Sequence, residues 1–522
     1  DGPTQMQQLE QQIAELQYRI KTLESPEEMP GVALYNPYAV VNTPGSSESP
    51  SGSRSTIPTD VPSMFPEDCA NNPTQSHATY EPPIYEKNTI LHAFFNTTCY
   101  AATKIGFFLD PKHTVDVMLL ELFEDPDYPT PALTYAIYLW GYHFSPSSST
   151  ASHREQSLKR AKYFLSEDLT GPHPHKVLHT IQAEVLLAHY YLSMGNVQES
   201  SRHAGGALGL ALGAGLHRST GDGTAASSYT VVTSPGFISR RMLSSTSSLG
   251  KSGDNIDRSQ YIDAFWAVYT INVYLTVIQG LGAMYSLDSH TVDVPWPIEK
   301  QGSGPLPHQK DLGMSYYATI LEFLDGKSNT GLSEKALHAK AVVLLEKSVA
   351  IHAEGELTTD LNTEFLRLDT LIMEFGRALP SITPSQASRS SVYLHVTTNM
   401  LVYAALIKLH SPFVSSLAPG RLGPALQQCF RATQVIADLT RTHLVYGSES
   451  SAIVADPIIG LSWTAVYQFF LLLAGSHFAT DIKNDCSLAA FEAFDTILDA
   501  LNVYSDEVPL LKLLLMRGSA AG

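Results

Sequence analysis

Residues 180–218 constrain the fold most strongly, because their pattern is that of a helical hairpin. Apolar residues recur at helical spacing in the first part, namely Ile181, Val185, Ala188 and Leu192. This spacing predicts a helix with one apolar face. Gly195 and Asn196 interrupt the pattern and mark the turn into a second helix.

The second predicted helix contains a row of glycines, Gly205, Gly209 and Gly213, with Ala207, Ala211 and Gly215 on the neighbouring row. Glycine inside a helix is less favourable than alanine by about 1 kcal/mol. Three glycines on one face therefore predict that another element approaches that face closely. The uncharged residues 204–216 are too few to span a bilayer, so we expect a buried core helix.

A heptad repeat occupies residues 1–25. Its a and d positions are Met6, Leu9, Ile13, Leu16, Ile20 and Leu23. Met or Ile at a with Leu at d favours two parallel strands, and Arg19 at g can pair with Glu24 at the following e. We predict a short parallel coiled coil that forms a homodimer. The alternative is an amphipathic helix folded onto its own domain.

Two segments of biased composition divide the rest of the chain. Residues 26–83 are rich in Pro, Ser, Thr and Asn, which predicts a mostly disordered linker. Residues 219–260 are rich in Ser, Gly and Thr, which predicts a disordered insertion. Arg240 and Arg241 precede Ser244 in this insertion, so phosphorylation by a basophilic kinase is one possible role for it.

Helical patterning begins near Ile84 and continues to residue 518, which predicts one large helical domain. Asp110-Pro111 and Thr130-Pro131 each offer an N-cap residue followed by a proline at N1. Further helices are predicted at residues 337–354, 362–379, 391–410, 424–444, 457–478 and 487–504. No stretch has the alternation of paired strands. The predicted fold class is therefore all-α, a large multi-helix domain preceded by the coiled coil.

Charge and cysteine content exclude several classes of function. The net charge of −18 argues against a chain that itself grips phosphate backbones, which requires clustered Lys and Arg. The four cysteines, Cys69, Cys99, Cys429 and Cys486, are far apart and form no Cys-x-x-Cys pair. We therefore expect free thiols in a reducing compartment, without a zinc ribbon or a disulfide framework.

Two uncharged segments, residues 264–287 and 458–480, are long enough to span a membrane. Polar residues interrupt both segments, and their flanks lack the Lys/Arg bias that sets membrane topology. Helices that are buried on all sides have the same composition. We expect buried core helices and no membrane association.

The tightest histidine cluster is His173, His175 and His179. His175 and His179 are four residues apart, so their imidazoles could bind one metal ion from the same helix face. A third and a fourth ligand are not adjacent in the sequence, and a polar loop that enters a helix explains the cluster equally well. We expect no metal and no cofactor in this chain.

Catalytic signatures are lacking. The carboxylates Glu121, Glu124, Asp125 and Asp127 could suggest a diphosphate–magnesium site, but the sequence has no Asp-Asp-x-x-Asp run. It also has no Gly-x-Ser-x-Gly elbow and no P-loop. We predict a protein that is not an enzyme. An all-α enzyme of the isoprenoid-synthase type and a helical scaffold protein remain the alternatives.

Several phrases along the chain resemble the regulatory (middle homology) domain of fungal zinc-binuclear-cluster, or Zn2Cys6, transcription factors. The glycine-rich helix ends in Leu216, His217 and Arg218, like the corresponding helix of that family. Two further phrases are similar, with the matching residues Phe265, Trp266, Tyr403, Leu409, His410, Pro412 and Phe413. The family usually has basic residues before Phe-Trp, where residues 262–264 are Ile-Asp-Ala, and commonly has Arg at the position of Ser411. His217 and His410 both close predicted helices, where an imidazolium could meet free carbonyls.

The resemblance implies a DNA-binding cluster of six cysteines and two zinc ions upstream of Asp1, in a segment that this chain lacks. The chain begins with Asp rather than Met, and we expect such a segment to precede it. The coiled coil would then hold two DNA readers side by side. The resemblance also implies a nuclear transcriptional regulator that binds DNA only through the upstream cluster. Its helical domain would respond to a small-molecule effector or to a transcriptional co-regulator.

Overall fold

The computed structural model describes residues 81–95, 102, 105–145, 150–218, 258–280, 292–298, 319–327, 331–351, 359–380, 389–416, 423–442, 457–475, 485–505 and 508–521. Helices, turns and irregular segments make up these ranges, which contain no strand. The all-α prediction is therefore confirmed for them. The predicted coiled coil with Arg19 and Glu24, most of the linker and nearly all of the 219–260 insertion lie outside the described residues.

The described helices, numbered in chain order, are α1 (Ile84–Phe95), α2 (Pro111–Leu119), α3 (Pro131–Phe144), α4 (Ala151–Thr170), α5 (Lys176–Ser193), α6 (Val197–Gly213), α7 (Arg258–Gln279), α8 (Thr319–Leu324), α9 (Glu334–Ala350), α10 (Thr359–Ala378), α11 (Arg389–His410), α12 (Pro424–Thr440), α13 (Pro457–Gly475), α14 (Asp485–Ser505) and α15 (Pro509–Ala521). A 3-10 turn, Ser411–Ser416, follows α11. The six helices predicted for the C-terminal half are all present, with ends displaced by a few residues. The helix α4 begins at Ala151 and contains 20 residues.

The two predicted N-caps differ in the atoms that provide the cap. The carboxylate of Asp110 accepts hydrogen bonds from the backbone N–H groups of Lys112 and His113, as expected. Thr130 makes no side-chain cap. Instead, the N–H of Ala132 donates to Oδ2 of Asp168 on α4, at 2.8 Å. A tertiary contact thus replaces the local cap at the start of α3.

The hairpin predicted at residues 180–218 is confirmed as α5 and α6, which pack against each other. Gly195 lies in the turn with φ of +72°, a backbone conformation that favours glycine. A Cβ at Gly195 would also lie 3.2 Å from the carbonyl oxygen of Pro509. The side chain of Asn196 caps α6 by accepting from the N–H of Glu199.

The expected close approach along the glycine row of α6 is wrong at Gly209. This residue is exposed, and a Cβ there would meet no atom within 4 Å. The buried row of α6 is formed by Ala204, Ala207 and Ala211. The glycine pattern shows where side chains are small, but the direction in which a helix faces depends on the elements packed around it.

The closest backbone approach at a helical glycine lies between α1 and α3. A Cβ at Gly141 would lie 2.5 Å from the carbonyl oxygen of Ile90, so the two helices touch through their backbones. Lys87 fixes α1 further, because its fully buried ammonium pairs with Glu81 at 3.0 Å and Glu121 at 2.9 Å. Two carboxylates compensate the buried charge, as burial of a charge requires.

The helix α11 is central to the C-terminal half, because it packs against α9, α12 and α13. Leu401, Ala405 and Leu409 on this helix are fully buried. Cys429 on α12 is a buried free thiol, in agreement with the expectation for that cysteine. Burial raises its pKa, so the thiol stays protonated.

Two described helices are long and apolar enough to cross a membrane by length and composition, Ser259–Gln279 and Ser391–Phe413. In an apolar 18-residue window of each helix, 67% and 61% of the residues, respectively, are buried inside the fold. Core helices of globular domains have the same length and composition. The helix α13, which contains much of the second uncharged segment, includes the shorter apolar stretch Ile459–Ala474.

Candidate functional site

A cavity of about 120 Å³ lies where the loop before α2 meets α5, α7, α9 and α11. It is partly open to solvent, and its wall is predominantly apolar. It is lined by Gly106, Phe107, Phe108, His189, Asp263, Trp266, Ala267, Thr270, Tyr274, Pro297, Lys335, His338, Ala339, Tyr393, Leu394 and Thr397. A concave, mostly apolar site with a few polar groups is the usual form of a small-molecule site.

Gln182 on α5 holds the loop that lines one side of the cavity. Its Oε1 accepts from the N–H of Phe108 at 2.7 Å, and its Nε2 donates to the carbonyl of Gly106 at 3.2 Å. Gly106 has φ of +69°, and a Cβ there would lie 3.2 Å from Cγ1 of Val185. Glycine is therefore the residue that permits this tight turn against α5.

Two cavity histidines are neutral. Burial lowers the pKa of His189 to about 3 and the pKa of His338 to about 4. His338 uses both ring nitrogens, with Tyr274 and with Thr398, at 3.2 Å each. The Nδ1 atom of His189 is buried and makes no hydrogen bond with any residue that the structure describes. A buried polar atom without a partner is costly, and a bound molecule could supply that partner.

The rim carries charge. Nζ of Lys335 on α9 lies 2.6 Å from Oδ2 of Asp263 on α7, and the lysine side chain is 47% exposed. This ion pair joins α7 and α9 next to the opening of the cavity, and its two opposite charges compensate each other. The inner wall offers hydrogen bonds, but no net charge from its histidines.

Trp266, one of the residues singled out from the sequence, lines the cavity and also fixes the extended segment 292–298. Its Nε1 donates to the carbonyl of Pro295 at 2.8 Å, and its ring stacks on Trp296 at 4.6 Å. Ser333, the N-cap of α9, donates to the carbonyl of Pro297 at 2.6 Å. Phe265 is fully buried in the core and does not line the cavity.

The phrase at the end of α6 has a structural role. Leu216 is buried, Arg218 is exposed, and the carbonyl of His217 accepts from the N–H of Asp293 at 3.1 Å. Burial first, and the nearby Arg218 second, lower the pKa of His217 to about 4. The expected imidazolium at this helix end is therefore neutral at pH 7.

The second family phrase, at the end of α11, also serves packing. Nε2 of His410 lies 2.8 Å from Oδ1 of Asp369 on α10, and its ring contacts Phe365 edge-on at 5.2 Å. Phe413 contacts the same Phe365 ring at 5.0 Å. His410 thus meets a carboxylate of a neighbouring helix. Other residues of the phrase are the buried Leu409, the half-buried Tyr403 and the exposed Pro412.

The histidine cluster at the start of α5 is assembled, but two of its members hold backbone. Nδ1 of His173 accepts from the N–H of His175, and its Nε2 donates to the carbonyl of Tyr128, at 3.1 Å each. Nδ1 of His179 accepts from the N–H of Thr130 at 3.3 Å. His179 is buried, with its pKa well below the ordinary value chiefly through desolvation. His179 therefore holds backbone, whereas Nε2 of His175 lies 3.5 Å from Oδ1 of Asp127.

Residues 76–320 match the family model described as the fungal specific transcription factor domain. This segment, which is just under half of the chain, is therefore similar to that domain. No curated protein and no solved structure matches the chain. The matched family consists of regulatory domains of transcription factors and is not an enzyme family.

The cavity spans the end of the matched segment, residues 76–320. The matched segment includes the cavity residues of the loop before α2, of α5, of α7 and of segment 292–298. The cavity residues of α9 and α11 lie beyond residue 320. Sequence reasoning reached Trp266 through the family phrase but missed Gln182 and His189. A polar residue inside an apolar helical run is the signal that could have identified both.

Proposed function

We propose that this chain is the dimerisation and regulatory region of a fungal sequence-specific transcription factor. The family match at residues 76–320 carries the proposal. The proposal further includes a DNA-binding cluster of six cysteines and two zinc ions upstream of Asp1, and location in the nucleus. The net charge of −18 supports a separate DNA-binding segment, since an acidic chain needs a basic module to hold DNA.

The zinc content of the natural protein tests the upstream cluster. We expect the natural protein to hold two zinc ions per chain more than residues 1–522, because removal of the segment before Asp1 removes the cluster. Residues 1–522 should show no sequence-specific shift of DNA in a gel assay, because the proposed DNA reader is missing. Specific, tight DNA binding by residues 1–522 would contradict the proposal.

Dimerisation through residues 1–25 is tested by the mass of residues 1–522 in analytical ultracentrifugation. Leu16→Lys places a charge at a d position of the apolar seam and should convert the dimer to monomer. Gln11→Lys adds the same charge at the outer f position and should leave the dimer intact. A Leu16→Lys variant that stays dimeric would place the dimer contact elsewhere.

We further propose that the cavity binds a small effector. A cavity of about 150 Å³ accommodates benzene, so a volume of about 120 Å³ suits a molecule of one ring or an amino-acid side chain. The neutral histidines favour an uncharged, largely apolar molecule with one group that bonds Nδ1 of His189. Binding of the effector would repack α7 against α9. This change would displace a protein partner or expose an activation segment.

A thermal-shift screen of small uncharged ring compounds tests the cavity. A compound that raises Tm of the native chain should lose this effect in Ala267→Leu, which adds volume to the cavity wall. Gly209→Ala, on an exposed face of α6, is the matched control and should retain the effect. A Tm increase that survives Ala267→Leu would place the compound at another site.

A further inference from the structure

The loop between α2 and α3 meets the start of α5 at a cluster of metal-ligating side chains. Nε2 of His113 lies 3.0 Å from Oδ2 of Asp127, and Nε2 of His175 lies 3.5 Å from Oδ1 of the same carboxylate. One ligand atom each of His113, Asp125 and Asp127 lies within 4.8 Å of the others. His113, Asp125 and Asp127 therefore form a compact group of ligand atoms, and His175 lies against the second carboxylate oxygen of Asp127.

Backbone contacts hold these ligands in place. The carboxylate of Asp110 accepts from the N–H of His113 and fixes the first turn of α2. Asp125 and Asp127 share a tight turn, because the N–H of Asp127 donates to Oδ1 of Asp125 at 2.8 Å. Such support by neighbouring groups is what orients the ligands of metal sites.

His173 joins the two sides of the cluster without acting as a ligand. Its two nitrogens bind the carbonyl of Tyr128, next to Asp127, and the N–H of His175. The loop that carries the two carboxylates is therefore tied directly to the start of α5. The distance between Asp127 and His175 is thus set by a third side chain.

The spacing suits a tetrahedral cation. Zinc binds imidazole nitrogen at about 2.0–2.1 Å and carboxylate oxygen at about 2.0–2.2 Å, so neighbouring ligand atoms lie about 3.4 Å apart. The distance of 3.0 Å between Nε2 of His113 and Oδ2 of Asp127 is close to this value. Calcium and magnesium prefer oxygen ligands, whereas imidazole suits zinc and related transition metals.

We infer that His113, Asp125 and Asp127 form a binding site for Zn²⁺, with His175 as the residue that positions the carboxylate of Asp127. The site is accessible, because the side chains of His113 and Asp127 are 49% and 42% exposed, while that of His175 is 6% exposed and forms the inner wall. Zinc would replace the proton that the imidazole of His113 shares with Asp127. It would join α2 to the 120–129 loop, and Asp127 would remain in contact with His175 at the start of α5.

Zinc titration of residues 1–522, without an affinity tag and after treatment with a chelator, tests the site. Calorimetry should give one zinc ion per chain, and cobalt(II) should give the visible bands of tetrahedral coordination. His113→Ala and Asp127→Asn should each weaken zinc binding at least tenfold and remove the cobalt bands. Both residues are substantially exposed, so the metal-free variants should unfold at nearly the temperature of the native chain.

His92→Ala removes an exposed histidine of α1 and is the matched control. It should retain zinc binding, and amide hydrogen exchange of residues 111–129 and 173–179 should slow when zinc is added to it. Stoichiometric zinc that persists in both His113→Ala and Asp127→Asn would overturn the assignment. A native chain that binds no zinc would overturn it as well. The test is independent of the proposed upstream cluster, because residues 1–522 do not include that segment.

Discussion

The described regions α1–α7 and α10–α15 use buried polar side chains differently. In α1–α7, several of these side chains bind the backbone of a different element. Gln182 holds the N–H of Phe108, and His179 holds the N–H of Thr130. These bonds decide where the connecting loops lie, because a buried backbone N–H requires a partner.

In α10–α15, buried threonines bind mostly within their own helix. Thr433 donates to the carbonyl of Cys429, and Thr464 donates to the carbonyl of Gly460, each four residues earlier. Apolar packing then carries most of the interaction between helices, for example the stack of Phe470 on Phe494. The cavity draws part of its wall, and the histidine cluster all of its ligands, from the first region. There, single polar side chains determine the position of the backbone.

The largest expected effect is a loss of stability in acid, since the first region buries neutral histidines. Burial lowers the pKa of His189 to about 3 and the pKa of His143 to about 4. In the unfolded chain both pKa values are near 6.5, so below pH 6.5 the unfolded chain takes up protons that the folded chain excludes. Each of these histidines should lower the free energy of unfolding by about 1.4 kcal/mol per pH unit, from pH 6.5 down to its folded pKa.

Denaturant unfolding at several pH values between 7 and 4.5 measures this slope. His189→Gln should reduce the slope of the unfolding free energy against pH by about 1.4 kcal/mol per pH unit, which corresponds to one proton. The reason is that the variant lacks one imidazole that the fold keeps unprotonated. Thr464→Val removes no titratable group and should retain the native slope. Equal slopes for His189→Gln and the native chain would show that His189 is protonated in the folded state.

Gln182→Leu should have the next largest effect. The change leaves the N–H of Phe108 and the carbonyl of Gly106 without their partner, and each such group costs about 1–3 kcal/mol. We expect the free energy of unfolding to fall by about 2–4 kcal/mol and effector binding at the cavity to weaken. Thr464→Val should cost less than about 1 kcal/mol. Similar costs for the two variants would remove the distinction between the regions.

Two helical glycines test the same difference between the regions, with a smaller expected effect on the free energy of unfolding. A Cβ at Gly141 meets the backbone oxygen of Ile90 at 2.5 Å, whereas a Cβ at Gly460 meets the end of the Leu511 side chain at 2.7 Å. Backbone cannot move aside as a side chain can, so Gly141→Ala should cost about 1–3 kcal/mol. Gly460→Ala should cost less than about 1 kcal/mol. Thermal unfolding of both variants decides the order, and the reverse order would contradict this account.

Gly209→Ala should have the smallest effect and the opposite sign. The added methyl group meets no atom within 4 Å, and alanine is the better helix former. The free energy of unfolding should rise by about 0.5–1 kcal/mol, measured by denaturant unfolding. A decrease would mean that another molecule or another part of the chain covers this face.

Helix positions were predictable because their signals are local. Asp110 with Pro111 and the periodicity of residues 180–218 lie within a few turns of the structure that they specify. The cap of Ala132 by Asp168 was not predictable, since the partner residue lies on a different helix. Asp168 carries no signal in its own neighbourhood, and its role depends on how α4 packs against α3.

The candidate sites divide in the same way. Trp266 could be identified from the sequence, because it lies in a phrase that resembles the transcription factor family. Gln182 and His189 could not be identified in this way. The sequence suggested His175 and His179 as ligands on one helix face. The fold uses His179 to hold the backbone at Thr130 and brings His113 and Asp127 to His175 instead.

The sequence by itself determined that this chain is helical, where most of its helices lie and which family its middle resembles. Hydrophobic periodicity, prolines and caps act over a few residues, so the order of the amino acids is sufficient for them. The tertiary structure alone decided which face of α6 is buried, which histidines stay neutral and which imidazoles share Asp127. Those properties depend on desolvation and on distances between residues far apart in the chain, which arise once the helices have packed.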